Sequence, residues 1–383
     1  MWLLLLGCHE QPSLGSVVDF PAHFPEPHIP GDNPLTAEKI ALGRYLFYDV
    51  RLSVNGQRSC GICHEQAIGF TDGFVQAVGA TGEKHTRNTL SLVNVAWRGA
   101  LTWRDPSVTC LEDQLATPLM GEAPLEMGMT EALLVERLAG STLYPPLFDA
   151  AFPGDPDPIR LETVGLALSA FQRTIFGGDS SYDRYLLGDD TAMSPAALRG
   201  MALFSSDALK CARCHGGVFF EQATDEAGVL LDGPVYANTG LYNIDGDGGY
   251  PPEEVGLLAA TGAPEDMGRF RVPSLRGVTT SGPWTHDGTV LFLSDLLDAY
   301  ARGGRLVQSG PHPGDGALSP LKSELVAGFS MTDAERDDLL AFLAAISDAS
   351  VLERASLATP FCVEGDSGLI RNAPCTPPAS FGD

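Results

Sequence analysis

A mainly α-helical chain, folded as two domains of one design with long ordered loops, is what this sequence predicts. Three observations carry the prediction. A short helical segment containing G-x-x-L-F occurs twice, at Gly43 to Phe47 and Gly200 to Phe204, each time shortly before a C-x-x-C-H sequence. Hydrophobic residues make up 44% of 383 residues and charged residues 19%, enough for two cores and too apolar for a disordered acidic chain. Finally, 43 glycines and 28 prolines exceed their usual combined share of about 12%. Much of the chain is therefore loop, around centres that something other than side chains helps to fill.

From the amino terminus, MWLLLLGC (Met1 to Cys8) is too short to span a bilayer. It reads as the end of a secretory leader running into a lipobox, with Cys8 as the lipidated first residue of an exported, periplasmic protein. Residues 9–33 are Pro- and His-rich and are expected to be extended, with His9, His23 and His28 as solvent-exposed bystanders. The first helical unit, TAEKIALGRYLFYD, sets Leu42 and Leu46 on one face and opens a domain assigned to 34–190. The second, SPAALRGMALFSSD, has Ser194 as N-cap and Pro195 at the first helical position, and opens a domain assigned to 191–355. A Gly/Pro-rich stretch runs to about Gly282, followed by short helices. The last helix is announced by a Thr332/Glu335 capping box and by an apolar stripe of Leu339, Phe342, Leu343 and Ile346, read as core. Residues 356–383 form a tail.

Cys60-Gly-Ile-Cys63-His64 and Cys211-Ala-Arg-Cys214-His215 carry the chemistry. C-x-x-C-H attaches c-type haem: the thiols form thioethers and the adjacent His binds iron. Zinc would need its paired knuckles much closer than these, about 150 residues apart. Each domain is therefore read as cytochrome c-like, with one covalent haem and a helix packed against it. The ligand opposite each His decides what the iron can do, and the residues alone leave Met120, Met127, Met129, Met267 and Tyr300 open. A net charge of −25 argues against nucleic acid as a partner. Three cysteines remain, Cys110, Cys362 and Cys375. In an exported chain they suggest one disulfide, read as Cys362–Cys375 clipping the tail, and a free, non-catalytic Cys110.

The segments SCGICHEQAIGFTDG, RNTLSLVNVAW, LTWRDP, LEDQLATPLMGEAPLEMG, RFRVPSLRGV and GPWTHDGTVLFLSDLLDAYARGG cover most of residues 35–345. In this order they resemble the bacterial di-haem cytochrome c peroxidase and MauG superfamily. The entry PAHFPEPHIPGDNPLTAEKIALGRYLFYD, the run AVGATGEKHTRNTLSLVNVAW and PLKSELVAGFSMTDAERDDLLAFL are most similar to its MbnH-like branch.

The resemblance implies roles residue by residue. Tyr300, fourteen residues after His286, stands where peroxidases carry the Met ligand of the second haem and MauG-like enzymes a Tyr. A phenolate is a hard anionic donor that favours the higher oxidation states of iron. Ala80 stands where peroxidases carry a His that blocks the resting first haem, so the first haem is expected to be open. His85 is in a different register and is read as a local hydrogen-bonding residue. Glu126 matches the distal carboxylate that moves the peroxide proton, Gln114 the pocket amide, and Trp103 the relay between the haems. The spacing is one residue longer from Trp103 to Gln114, and two longer from Gln114 to Glu126, than in the peroxidases. Glu112 and Asp113 adjoin Gln114 but, pointing about 100° apart on one helix, cannot both face the haem. Asn88, Ser281 and Pro283 match the oxygen ligands of one Ca2+ between the domains. His286 is assigned to a haem propionate or the loop backbone, and Trp97 and Trp284 to packing, with either as an alternative relay.

By the same resemblance, hydrogen peroxide oxidises both haems to a high-valent, two-electron state shared by the pair. That state oxidises an aromatic residue, Trp to kynurenine, on an MbnP-like copper-binding partner. The alternatives are a cytochrome c peroxidase fed by a small electron-transfer protein, and a non-enzymatic di-haem electron carrier. Tyr300 disfavours both, and an open first haem disfavours the carrier again.

Overall fold

The computed structural model describes residues 17–364 and 369–374, the side chains of the last strand pair after Phe361 excepted. The lipobox at Met1 to Cys8, His9, Cys375 and the side chain of Cys362 lie outside that description. The chain is helical with few strands. In order come α1 (Ala37–Tyr48), α2 (Cys60–Cys63), α3 (Leu111–Gln114), α4 (Ala116–Met120), α5 (Glu131–Ala139) and α6 (Tyr144–Ala151). They are followed by α7 (Leu161–Gln172), α8 (Ser181–Leu186), α9 (Pro195–Phe204), α10 (Leu258–Thr261), α11 (Leu293–Arg302) and α12 (Asp333–Ala345). Strands form only short antiparallel pairs: Tyr236–Ala237 with Phe270–Arg271, Leu306–Val307 with Gly314–Asp315, and Phe361–Glu364 with Leu369–Pro374. No helix among the described residues is long and apolar enough to cross a membrane.

The sequence repeat is a repeat in space. A Cβ built on Gly43 of α1 would stand 1.9 Å from the carbonyl oxygen of Ala167 in α7, and one on Gly200 of α9 would stand 1.9 Å from that of Asp338 in α12. Each glycine therefore lets two helices cross at backbone contact. Four residues on, Phe47 meets Phe171 and Phe204 meets Phe342, both at 5.2 Å between ring centroids. The ends of these helices are satisfied as their sequences ask. Ser194 Oγ accepts the Ala197 N–H at 3.1 Å, and in the Thr332/Glu335 box the Thr332 N–H donates to Glu335 Oε2 at 2.8 Å.

One core gathers Leu42, Leu46, Phe47, Phe70, Tyr144, Phe148 and Phe171, all buried, and a second gathers Phe204, Phe220, Leu339, Phe342, Leu343 and Ile346. Val351, Leu357 and Phe361 return to pack in the first core, where the Leu357 carbonyl also accepts the Tyr48 hydroxyl at 2.6 Å. Between the two lies a cluster of Trp103, Leu241, Tyr242, Tyr250, Phe270 and Val290.

Two expectations are corrected. His23 is no exposed bystander: its Nε2 lies 3.3 Å from Asp183 Oδ1, whose carboxylate is also held by Arg276 through two contacts of 2.8 Å. Beside it Phe24 is buried against Phe219 and lies beneath the Arg276 guanidinium, so the segment before α1 straps across both halves. Cys110 is not a free thiol either, since it takes part in a disulfide.

The glycine crossings set a stability test. Gly200→Ala should cost about 1–3 kcal/mol by forcing α9 off α12, read as a lower urea midpoint. Gly99→Ala, where a Cβ meets nothing within 4 Å, should stay within about 0.5 kcal/mol.

Candidate haem sites and the pocket beside them

Each C-x-x-C-H loop ends in an oriented imidazole. His64 Nδ1 is 2.9 Å from the Phe70 carbonyl and His215 Nδ1 is 2.9 Å from the Phe220 carbonyl. A carbonyl only accepts, so Nδ1 carries the proton and Nε2 keeps the lone pair that binds metal. Phe70 and Phe220 turn their carbonyls this way by adopting φ of 58° and 55°, a left-handed backbone uncommon for such residues. Burial, the largest influence on both rings, lowers their pKa and favours the neutral form a ligand must have. The thiols carry the same message. Burial pushes Cys60 and Cys211 up to about 12 and Cys63 to about 11. A dithiol built for redox exchange needs the opposite shift.

A cavity runs from the second loop toward the junction of the two halves. Cys211, Cys214 and His215 line one part, and Tyr300 of α11 lines another; no methionine is on its wall. Tyr300 lies near enough to Cys214 and Cys211 for their charge to add to burial in raising its pKa. Among the described residues its hydroxyl forms no hydrogen bond. Met127 and Met129 are buried in the first core, Met120 packs on it, and Met267 packs on the junction cluster.

The same wall has polar atoms without partners. Arg98 Nε, Arg271 Nη2 and His286 Nε2 are buried and unpaired, and all three residues line the cavity. Glu221 approaches Arg98 at 3.9 Å and Arg271 at 3.4 Å but does not saturate two guanidinium groups. Burial lowers the pKa of both, Arg98 to about 10, with Glu221 opposing. Unsatisfied cations in an apolar cavity fit an anionic group such as a haem carboxylate. Arg98 and Arg271 were missed as site residues by sequence reasoning. The available signal was a charged residue inside apolar runs, VAWRG and RFRVP.

Trp103, on this wall too, donates its indole N–H to the Asn88 carbonyl at 2.9 Å, and its own carbonyl accepts the Arg271 N–H at 2.8 Å. Asn88 spends its side-chain amide N–H on the Phe74 carbonyl at 2.8 Å and its backbone N–H on the His286 carbonyl at 2.7 Å. Its Oδ1 is left over, and Ser281 and Pro283 line the cavity with it. Among the described residues no group of three or more His, Cys, Asp or Glu could hold a metal. A cation here would depend on amide and carbonyl oxygens, a set that suits calcium. Trp97 and Trp284 each donate an indole N–H to a carbonyl, of Pro25 at 2.7 Å and Val278 at 2.8 Å. Trp284 also lines the cavity.

Beside the first loop, residues 78–84 form a small hairpin closed by a Val78–Lys84 bridge. It lies on the Glu126 segment: the Ala80 N–H donates to the Glu126 carbonyl at 2.7 Å, and a Cβ on Gly79 would stand 1.9 Å from the Leu125 carbonyl oxygen. Ala80 is buried there, and its methyl group cannot bind metal. The Glu126 carboxylate is 37% exposed, lies 3.6 Å from His85 Nε2, and is close enough to Cys60 and Cys63 to raise both thiols further. Burial raises the Glu126 pKa, with Arg87 opposing. Gln114 is half-buried on α3, and no hydrogen bond joins it to Glu126. Glu112 is structural, held by Arg173 at 2.5 and 3.0 Å and by Asn33 at 2.6 Å, while Asp113 is exposed.

The family model described as di-haem cytochrome c peroxidase matches residues 37–191. The methylamine utilization protein MauG of Methylorubrum extorquens is 38% identical over 319 residues, covering 83% of this chain and 80% of that protein. The chain belongs to the di-haem cytochrome c peroxidase and MauG family. A cytochrome-c peroxidase of a Pseudomonas strain is 34% identical over 340 residues, 85% of each chain. The crystal structure of a MauG-like protein associated with microbial copper homeostasis superposes with a TM-score of 0.84 at 42% identity, covering 89% of this chain and 98% of that one. Family membership makes the chain a peroxidase-type oxidoreductase with two c-type haems.

Full-length protein matured with a c-type haem attachment system should show two haems per chain as the alkaline pyridine complex. Replacing Cys211 and Cys214 by Ser should leave one, counted in the same assay.

Proposed function

We propose that this enzyme uses hydrogen peroxide to oxidise an aromatic residue, Trp to kynurenine, on a copper-binding partner protein. One observation carries the reading: the cavity at the second C-x-x-C-H loop has Tyr300 and no methionine on its wall. An electron-accepting haem of high potential wants a thioether ligand, whereas a phenolate stabilises oxidised iron. The similarity to a MauG-like protein associated with copper homeostasis supports the choice of partner.

In this reading His64 and His215 would bind the haem irons, Cys60, Cys63, Cys211 and Cys214 would attach the two haems, and Tyr300 would be a further ligand of the iron held by His215. Arg98, Arg271 and His286 bind propionates. Haem held there would supply two oxidising equivalents for each peroxide reduced to water, so Trp to kynurenine, a four-electron oxidation followed by hydrolytic loss of formate, would consume two peroxides. Glu126 would take a proton from peroxide and return it to the leaving oxygen; burial raises its pKa, the direction that helps a carboxylate to serve as both base and acid. Ala80 leaves that face open. Gln114 contributes a pocket amide. Trp103, fixed by Asn88, carries electrons between the halves. Asn88, Ser281 and Pro283 hold one Ca2+ that ties the halves together. The enzyme works in the periplasm, anchored by a lipid on Cys8.

The second reading, a peroxidase fed by a small electron carrier, draws on the 34% identity to a cytochrome-c peroxidase. The deciding experiment adds stoichiometric peroxide to diferric protein without reductant. Loss of Soret absorbance and a long-lived near-infrared band are expected, followed by a mass change at one tryptophan of the copper-binding partner. No change before pre-reduction would overturn the reading in favour of the carrier-fed peroxidase. Separately, Tyr300→Phe should convert one haem from low to high spin, and an unchanged spectrum would remove Tyr300 as a ligand.

A further inference from the structure

We propose that His85 is a positioning residue for Glu126, holding one carboxylate oxygen so that the other is left to accept a proton in the first haem pocket. The proposal rests on the reading of Glu126 as proton acceptor. His85 is fixed on both sides by its own hairpin: its N–H donates to the Ala77 carbonyl at 2.8 Å, and its Nδ1 accepts the Arg87 N–H at 3.1 Å. With Nδ1 occupied as an acceptor, the neutral ring carries its proton on Nε2. Nε2 is the atom that stands 3.6 Å from Glu126 Oε1. A small rotation of either side chain closes this to a charge-assisted hydrogen bond, as polar contacts in a site do when it fills.

The surroundings keep the ring a neutral donor. Burial, with Arg87 and then Arg104 adding to it, pushes His85 down to about 4. Arg87 also faces Glu126 and is itself paired to Glu254 at 3.3 Å. Glu83 accepts the Leu125 N–H at 3.1 Å and so secures the main chain before Glu126. The remaining neighbours, the Cys60 and Cys63 sulfurs, stop titrating once they are thioethers. A donor on Oε1 stabilises the ionised carboxylate and offsets part of the upward push of burial. Removing the donor raises the Glu126 pKa, so the basic form appears only at higher pH.

Cyanide binding to the first haem of the diferric holoprotein tests this without turnover, because hydrogen cyanide must lose a proton as it binds. Association is followed by stopped-flow across the neutral range, with haem content checked for each variant. Glu126→Gln should slow it about 100-fold. His85→Leu should slow it about tenfold and move the acid limb up by about one pH unit. His85→Gln keeps an N–H donor of similar reach and should stay within about twofold of the parent. If Glu126→Gln binds cyanide like the parent, the reading of Glu126 fails, and this proposal with it. Slow Glu126→Gln with parent-like His85→Leu overturns the role of His85 alone. Equal slowing in His85→Leu and His85→Gln overturns it in favour of packing. Should His85→Leu lose its haem, His85→Gln against the shorter His85→Asn makes the same comparison.

Discussion

Two bonds of 2.9 Å, from His64 to the Phe70 carbonyl and from His215 to the Phe220 carbonyl, orient everything else. An imidazole on a loop would otherwise rotate freely and present either nitrogen. The carbonyl selects the tautomer and aims the ring, and it can do so only because Phe70 and Phe220 accept a left-handed backbone. Their rings offset that cost by packing: Phe70 lies against Phe47, and Phe220 against both Phe204 and Phe342. Helix crossing, aromatic cluster and metal-binding nitrogen are thus one connected unit, built twice.

On this common frame the two sites diverge. The second loop opens into a cavity lined by Tyr300, Trp103 and the part-satisfied arginines Arg98 and Arg271. The first is overlain by a hairpin that sets the buried Ala80 against the segment of Glu126, whose carboxylate is 37% exposed. A short hydrogen-bonded series from Arg271 through Trp103 and Asn88 to His286 joins the halves, so the junction is a fixed structure and not a linker. Similarity to a MauG and similarity to a cytochrome-c peroxidase are both compatible with that frame.

Much of this was legible in the sequence because it depends on local rules. The G-x-x-L-F repeat, the Ser194 and Thr332 caps and the stripe from Leu339 to Ile346 follow from spacing alone, and all of them fold as read. What was not legible depends on partners far away in the chain. His23 looked solvent-exposed because it stands in a Pro-rich run before the first helix, yet Asp183 meets it across 160 residues. Arg98 and Arg271 were not singled out, because what buries both is the fold around Glu221. Cys110 could not be separated from its two fellow cysteines by spacing. Nor could His85 be set beside Glu126, since the hairpin that brings them together is defined by a bridge between Val78 and Lys84.

The strap before α1 has a consequence in time. Phe24 packs on Trp97 and Phe219, and it lies under Arg276, 4.9 Å from the guanidinium carbon. The first described part of the chain to be synthesised is therefore among the last to be fully placed. Its contacts with Trp97 and Phe176 can form early, but those with Phe219 and Arg276 wait until some two hundred and fifty further residues have followed it, and contacts of such long sequence separation form late and slowly. Closure of the strap then reports that both halves have been made and brought together.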